Sequence, residues 1–157
     1  MISCSILKAD SNALVNQICL KTDNPSFCIT VLNSNPGTAS ADLQGLATIA
    51  INLALNNATD TSNYISSLLV NSTDNEQKDQ FTHCKDSYEF ITDDLNTAGR
   101  SLGSHDYQEI SVMAGAMADQ VKYCESVVKS TLSERNKNMG YLVGIILSVS
   151  NLLKSSS

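Results

Sequence analysis

The residues with the most distinctive chemistry are five cysteines: Cys4, Cys19, Cys28, Cys84 and Cys124. No CxxC pair occurs among them, and only two histidines, His83 and His105, accompany them. Zinc sites draw on cysteine pairs and histidines at short spacing, so this pattern argues against a metal centre. The chemistry that remains is oxidation to disulfides, which points to an oxidising compartment. Carboxylates form the second pattern. Between Asp74 and Asp94 the chain places seven acids against two bases, Lys78 and Lys85. At 100° per residue, Asp79, Asp86, Glu89 and Asp93 share an arc of about 80° on one helix face. Like charges at i,i+4 cost a few tenths of a kcal/mol per pair. In return, the stripe would speed encounter with a basic partner and fix its orientation. Such an interaction weakens with salt and as the carboxylates protonate.

Catalytic patterns are absent. Glycosidases need two carboxylates across a cleft, and no GxSxG elbow is present for a serine hydrolase. We therefore expect no enzyme activity and no cofactor. Sixteen acids against ten bases give a net charge of −6, which argues against a nucleic-acid binder. No membrane association is expected: the longest apolar run, Tyr141 to Leu147, is too short to cross a bilayer. Met1 to Leu7 is too short for a full signal-peptide core.

The elements that position these residues read as helices. The 157 residues make one domain's worth of chain. Two prolines and seven glycines leave little punctuation for an all-β fold. Residues 1–37 read as an N-terminal helical hairpin extension: a helix over Ser11–Leu20, a turn at Thr22–Pro25, and a short helix opened by Pro25. Residues 38–157 read as a bundle of four helices, over about 39–70, 76–102, 106–130 and 133 onward. Apolar residues recur at helical spacing in each, as in Phe81, Cys84, Tyr88, Ile91, Leu95, Ala98 and Leu102. Asn57 and Thr61 interrupt the stripe of the first, which predicts a polar core layer, a kink or a break near Thr59–Ser62. Short loops impose up-down-up-down order. Within this all-α frame we expect the pairs Cys19–Cys28 and Cys84–Cys124, with Cys4 left single. The longer bridge should stabilise by roughly 4 kcal/mol and the shorter by nearer 3.

On the third helix, Gln108, Ser111, Gly115, Asp119, Lys122 and Ser126 share an outer face, where small residues allow another backbone to approach. Tyr123 is a candidate aromatic anchor. Asn71, in an Asn-Ser-Thr sequon near a helix end, is the better glycosylation candidate; Asn57 falls on an inward stripe.

Cys19-x2-Thr22-x2-Pro25-x2-Cys28-x3-Leu32, Ala41-Asp42-Leu43-x-Gly45-Leu46, Cys84-x3-Tyr88, Asp106-Tyr107, Cys124-Glu125 and Ser150-Asn151-Leu152-Leu153 together resemble the plant invertase and pectin methylesterase inhibitor family. The resemblance runs from about Leu14 to Leu153. It implies a four-helix bundle with an N-terminal hairpin and two disulfides, secretion to the plant cell wall or vacuole, with the cell wall expected here, and one-to-one complexes with a carbohydrate-active enzyme. The Pro-Lys-Phe tripeptide of invertase inhibitors is replaced by Ser104-His105-Asp106-Tyr107. The Asp-Tyr helix start and the Ser-Asn-Leu-Leu ending resemble the pectin methylesterase branch. That branch implies contacts from the second and third bundle helices, among them Asp86 and Asp93. Pectin methylesterase is thus the expected partner and invertase the alternative; a third reading is a pollen-protein-like member without an enzyme target. Tyr123, where inhibitors often carry Thr, and Phe90, at a family acidic position, depart from the branch pattern.

Overall fold

The computed structural model describes residues 12–157; the expected unpaired Cys4 lies outside them. Helix α1 covers residues 12–19 and α2 covers Pro25–Asn33. Pro25 occupies the first turn of α2, where its missing N–H costs nothing, and the Asn24 side chain accepts a hydrogen bond from the Phe27 N–H at 3.1 Å. The Cys19–Cys28 disulfide closes this hairpin, with Cα atoms 5.4 Å apart. A short 3-10 turn, Pro36–Ser40, leads into the bundle.

Four long helices follow: α3 (Leu43–Asn71), α4 (Asn75–Gly103), α5 (Tyr107–Val127) and α6 (Ser133–Ser156). Aspartates cap three of them. Asp42, Asp74 and Asp106 accept from the backbone N–H groups of Gly45, Glu76 and Glu109, respectively. Each such cap is worth about 1 kcal/mol. A side chain at Gly45 would press on the Ala41 methyl and the capping carboxylate of Asp42. Gly103 ends α4 as expected, yet His105 rather than glycine takes the left-handed conformation, at φ 60°.

Cross-helix bonds set the directions. Lys85 donates to Ser66 and Ser72 to Gln77, so α3 and α4 run antiparallel. Ser101–Glu109 and Cys84–Cys124 do the same for α4 and α5, and Ser111–Ser150 and Asn136–Glu125 for α5 and α6. Since α3 also packs on α6, the helices close a four-membered ring. The expected all-α, up-down-up-down bundle is observed, with the second expected disulfide inside it. The hairpin packs on this ring through Val15, Ile18 and Leu32, and Ser148 of α6 donates to the Ile18 carbonyl at 2.7 Å. By length and composition alone α6 would reach across a bilayer, but half of its most apolar window is buried among its neighbours.

The expected apolar stripes face inward. Two boundaries differ from the sequence reading by three residues or more. The first bundle helix starts at Leu43 because residues 36–40 form the 3-10 turn. The third ends at Val127, where Val128 turns extended yet stays buried. The first bundle helix is unbroken through residues 57–62, which leaves no break there.

Of the three readings for that segment, the polar layer is what forms. Thr61 is fully buried beside the hydroxyl of Tyr88, the largest fully buried side chain. Tyr88 donates to Asn136 Oδ1 at 3.0 Å, and Asn136 Nδ2 donates to Glu125 at 2.8 Å. Ser133 donates to the other oxygen of Glu125 at 2.6 Å. Arg135 bonds Asp60 at 2.7 Å and lies over the Tyr64 ring. Burial drives the Tyr88 phenol above its ordinary range, against the opposing effects of Arg135 and Thr61. Tyr88→Phe removes the hydroxyl that donates to the buried Oδ1 of Asn136. We expect a loss of about 1–3 kcal/mol, measured by urea unfolding with both disulfides intact.

Candidate functional site

Helix α4 turns Phe81, Cys84, Tyr88 and Ile91 into the core, and the same period turns Asp79, Asp86, Glu89 and Asp93 outward, all exposed. Glu89 is the one held by a base: Lys85 lies 3.6 Å away, and that ammonium also donates to Ser66 of α3. Glu89 and Asp93 edge a cleft of about 210 Å³ against Thr59, Ser62 and Asn63 of α3. Glu89 and Asp93 therefore lean toward the α3 seam.

The α5 residues divide differently. Gly115, Lys122 and Ser126 line a groove of about 1010 Å³ between α5 and α6. Ser111 lies toward α6 as well, within 3.0 Å of Ser150. In a closed ring the α3/α4 and α5/α6 seams are on opposite sides, so these residues and the α4 acids do not form one patch. Asp119 is exposed on the outward side of α5. Tyr123 is 46% exposed and points along the α4/α5 face, its ring edge-on to His83 at 6.0 Å. Asn71, the last residue of α3, is exposed, as is Thr73 of its sequon.

Two residues of this face escaped the sequence reading as binding groups. Phe90 is 47% exposed beside the acids; the available signal was an aromatic outside the apolar stripe. Asp94 is half-buried, with a buried Oδ2 that has no hydrogen-bond partner among the described residues. The start of α5, where invertase inhibitors carry their tripeptide, is a hydrogen-bonded corner. Tyr107 donates to Gln44 Oε1 at 2.9 Å, His105 Nδ1 lies 2.7 Å from the same hydroxyl, and Gln44 donates to the Leu102 carbonyl. Among the described residues, no group of three or more His, Cys, Asp or Glu could hold a metal ion.

Fold and surface define a class: a disulfide-stapled helical bundle whose charged side chains lie on its outer faces. The profile of the plant invertase/pectin methylesterase inhibitor family matches residues 13–149, and the chain belongs to that family. It is 35% identical to a pectinesterase inhibitor of Actinidia deliciosa over 92% of this chain and 82% of that protein. It is 28% identical to a cell wall/vacuolar inhibitor of fructosidase of Arabidopsis thaliana over 88% of this chain and 74% of that protein. The crystal structure of a mutant pectin methylesterase inhibitor from Arabidopsis superposes with a TM-score of 0.79 at 30% identity, covering 88% of this chain and 95% of that one. The family consists of inhibitor proteins, not enzymes.

Burial, and then the neighbouring Asp93 carboxylate, raise the Asp94 carboxyl above its ordinary range. Ionising it therefore opposes folding. The penalty is absent below the unfolded carboxylate pKa and complete once pH exceeds the raised value. Asp94→Asn should melt at a higher temperature than the wild type at neutral pH. The difference should vanish on acidification to about pH 3, below the ordinary carboxylate range.

Proposed function

We propose that this chain is a secreted inhibitor of plant pectin methylesterase, acting in the cell wall by forming a stoichiometric complex that covers the pectin-binding cleft. The observation that carries the proposal is the α4 ridge: Asp79, Asp86 and Asp93 are exposed and free of ion pairs among the described residues, with Phe90 and Tyr123 beside them. The carboxylates would steer and orient a basic enzyme, and the aromatic pair would supply the desolvated contact that interfaces concentrate in few residues. Asp119 extends this face on α5. Glu89 lies at its α3 flank, whereas Ser111, Gly115, Lys122 and Ser126 face α6 and fall outside it. The disulfides and the buried polar layer hold the surface rigid, which lowers the ordering cost of binding. Both disulfides suit an extracellular protein, and Asn71 is the proposed glycosylation site.

Relatives named as fructosidase inhibitors keep a second reading in play, in which the partner is invertase and contact runs through the α5 start. One purified protein assayed against both enzymes decides. Inhibition of pectin methylesterase alone is expected; inhibition of invertase alone would overturn the proposal, and inhibition of neither would indicate a member without an enzyme target. Asp86→Lys combined with Asp93→Lys should weaken the methylesterase complex by about tenfold or more at low salt, since steering and pairing are both lost. Unchanged affinity would reduce the ridge to a solvated helix face.

A further inference from the structure

Three of the seven large apolar side chains exposed among the described residues lie along one seam: Phe90 of α4, and Val112 and Tyr123 of α5. The other four are dispersed over the hairpin, the end of α3 and α6. His83 meets the Tyr123 ring across the seam. Phe90 stands seven residues beyond His83, within about 20° of the same side of α4. On α5, Glu109 accepts from Ser101 of α4, and positions 109, 116 and 123 repeat at the same spacing. Val112 lies four residues before Ala116, about 40° further toward solvent. The pairs Cys84–Cys124 and Ser101–Glu109 fix the antiparallel register. They set Phe90 level with the stretch of α5 between Val112 and Tyr123, which spans about 16 Å.

The fold gains little from these three side chains. Phe, Val and Tyr are poorer helix formers than Ala, and Val112 at 63% exposure buries little in return. A contiguous exposed apolar strip marks an interaction site, where single exposed apolar residues do not. The acids frame the strip. Asp79, Asp86 and Asp93 each lie four residues before His83, Phe90 and Thr97, about 40° further from α5. Asp119 lies four residues before Tyr123, about 40° further from α4. Carboxylates thus stand on both shoulders and apolar groups between them, the pattern of an interface core with a polar rim. The sign of that rim selects the occupant. A second copy of this chain would set carboxylates against carboxylates, and an acidic polysaccharide is repelled in the same way. A protein surface with an apolar projection between lysines or arginines suits both parts.

Building on the enzyme-inhibitor reading, we propose that Val112 completes, with Phe90 and Tyr123, the docking centre for an apolar projection of the enzyme flanked by basic side chains. The strip sets how long the complex lasts, and the flanking acids set how fast it forms. Surface plasmon resonance of the full-length protein over immobilised pectin methylesterase reads both rates. Val112→Ala should speed dissociation about fivefold, and Phe90→Ala with Tyr123→Ala about thirtyfold or more, with association held within about twofold and the effect equal at low and high salt. Asp119→Asn should instead slow association, and that effect should fade as salt is added. Melting temperatures of the Ala variants should hold or rise, since Ala favours the helix. Unchanged dissociation in Val112→Ala, while the wild type binds, overturns the proposal and leaves the enzyme reading intact. A loss that appears in association and vanishes with salt overturns it too. Self-association of the wild type that Val112→Asp abolishes would assign the strip to a second copy and has the same consequence. Binding to invertase alone overturns the methylesterase reading, and the same dissociation rates measured there decide the strip; binding to neither enzyme overturns both.

Discussion

The bundle depends on one line of hydrogen bonds that runs from the buried Tyr88 and Asn136 outward through the half-buried Glu125 to Ser133. An aliphatic core alone tolerates several registers, because Leu, Ile and Val contacts are non-directional. A buried hydrogen bond is not tolerant: a one-turn slide strands a donor or acceptor at a cost of about 1–3 kcal/mol per group. The line ties α4, α5 and α6, and Thr61 and Arg135 bring in α3 beside it. Cys84–Cys124 lies one turn along α4 from Tyr88 and pins the same pair of helices covalently. Register is thus set twice, by polar bonds in the folded state and by a constraint that also narrows the unfolded ensemble.

Fixed register decides what each face presents. The ring of four helices offers separate seams with separate chemistry. Between α3 and α4 lies a small polar cleft edged by carboxylates. Along α4 and α5 run exposed acids with Phe90 and Tyr123. Between α5 and α6 lies an apolar trough with lysines at one end. Were α4 free to rotate by a single residue, about 100°, Asp86 and Asp93 would leave the surface and Tyr88 would leave its partner. The polar layer therefore maintains the surface pattern as well as the core.

Much of this was legible in the sequence because it is local or periodic. The α4 stripe from Phe81 to Leu102, the Pro25 helix start and the exposed acids follow from spacing alone. The cysteine pairing was within reach because Cys19 and Cys28 flank a turn and Cys84 lies on a core stripe. Thr61 was harder. A polar residue on an apolar stripe reads equally as a break or a satisfied layer, and its partners, Tyr88 and Arg135, lie 27 and 74 residues away. The end of α5 was misplaced because Val128 keeps the helical period while its backbone is already extended. The split of the α5 face was also hidden. A helical wheel shows that Gly115 and Lys122 point away from the core, but not that α6, rather than α4, stands beside them.

That split bears on how a small acidic protein can carry two unlike surfaces. Screening acts on both, since the Debye length is about 8 Å at physiological ionic strength. The consequences differ with the work each surface performs. On α4 the carboxylates are exposed, and what they contribute is reach and orientation, the part of an interaction that salt removes first. The trough between α5 and α6 is mainly apolar, so removing water from it remains favourable after the field is screened. The opposed charges stay apart because α4 and α6 occupy separate corners of the ring, with α5 between them on one side and α3 on the other. On that side Lys85 is already engaged by Glu89 and Ser66. Lys137 of α6 is thus held away from the α4 acids, while Lys122 shares α5 with Asp119, and the disulfide and polar layer fix both arrangements.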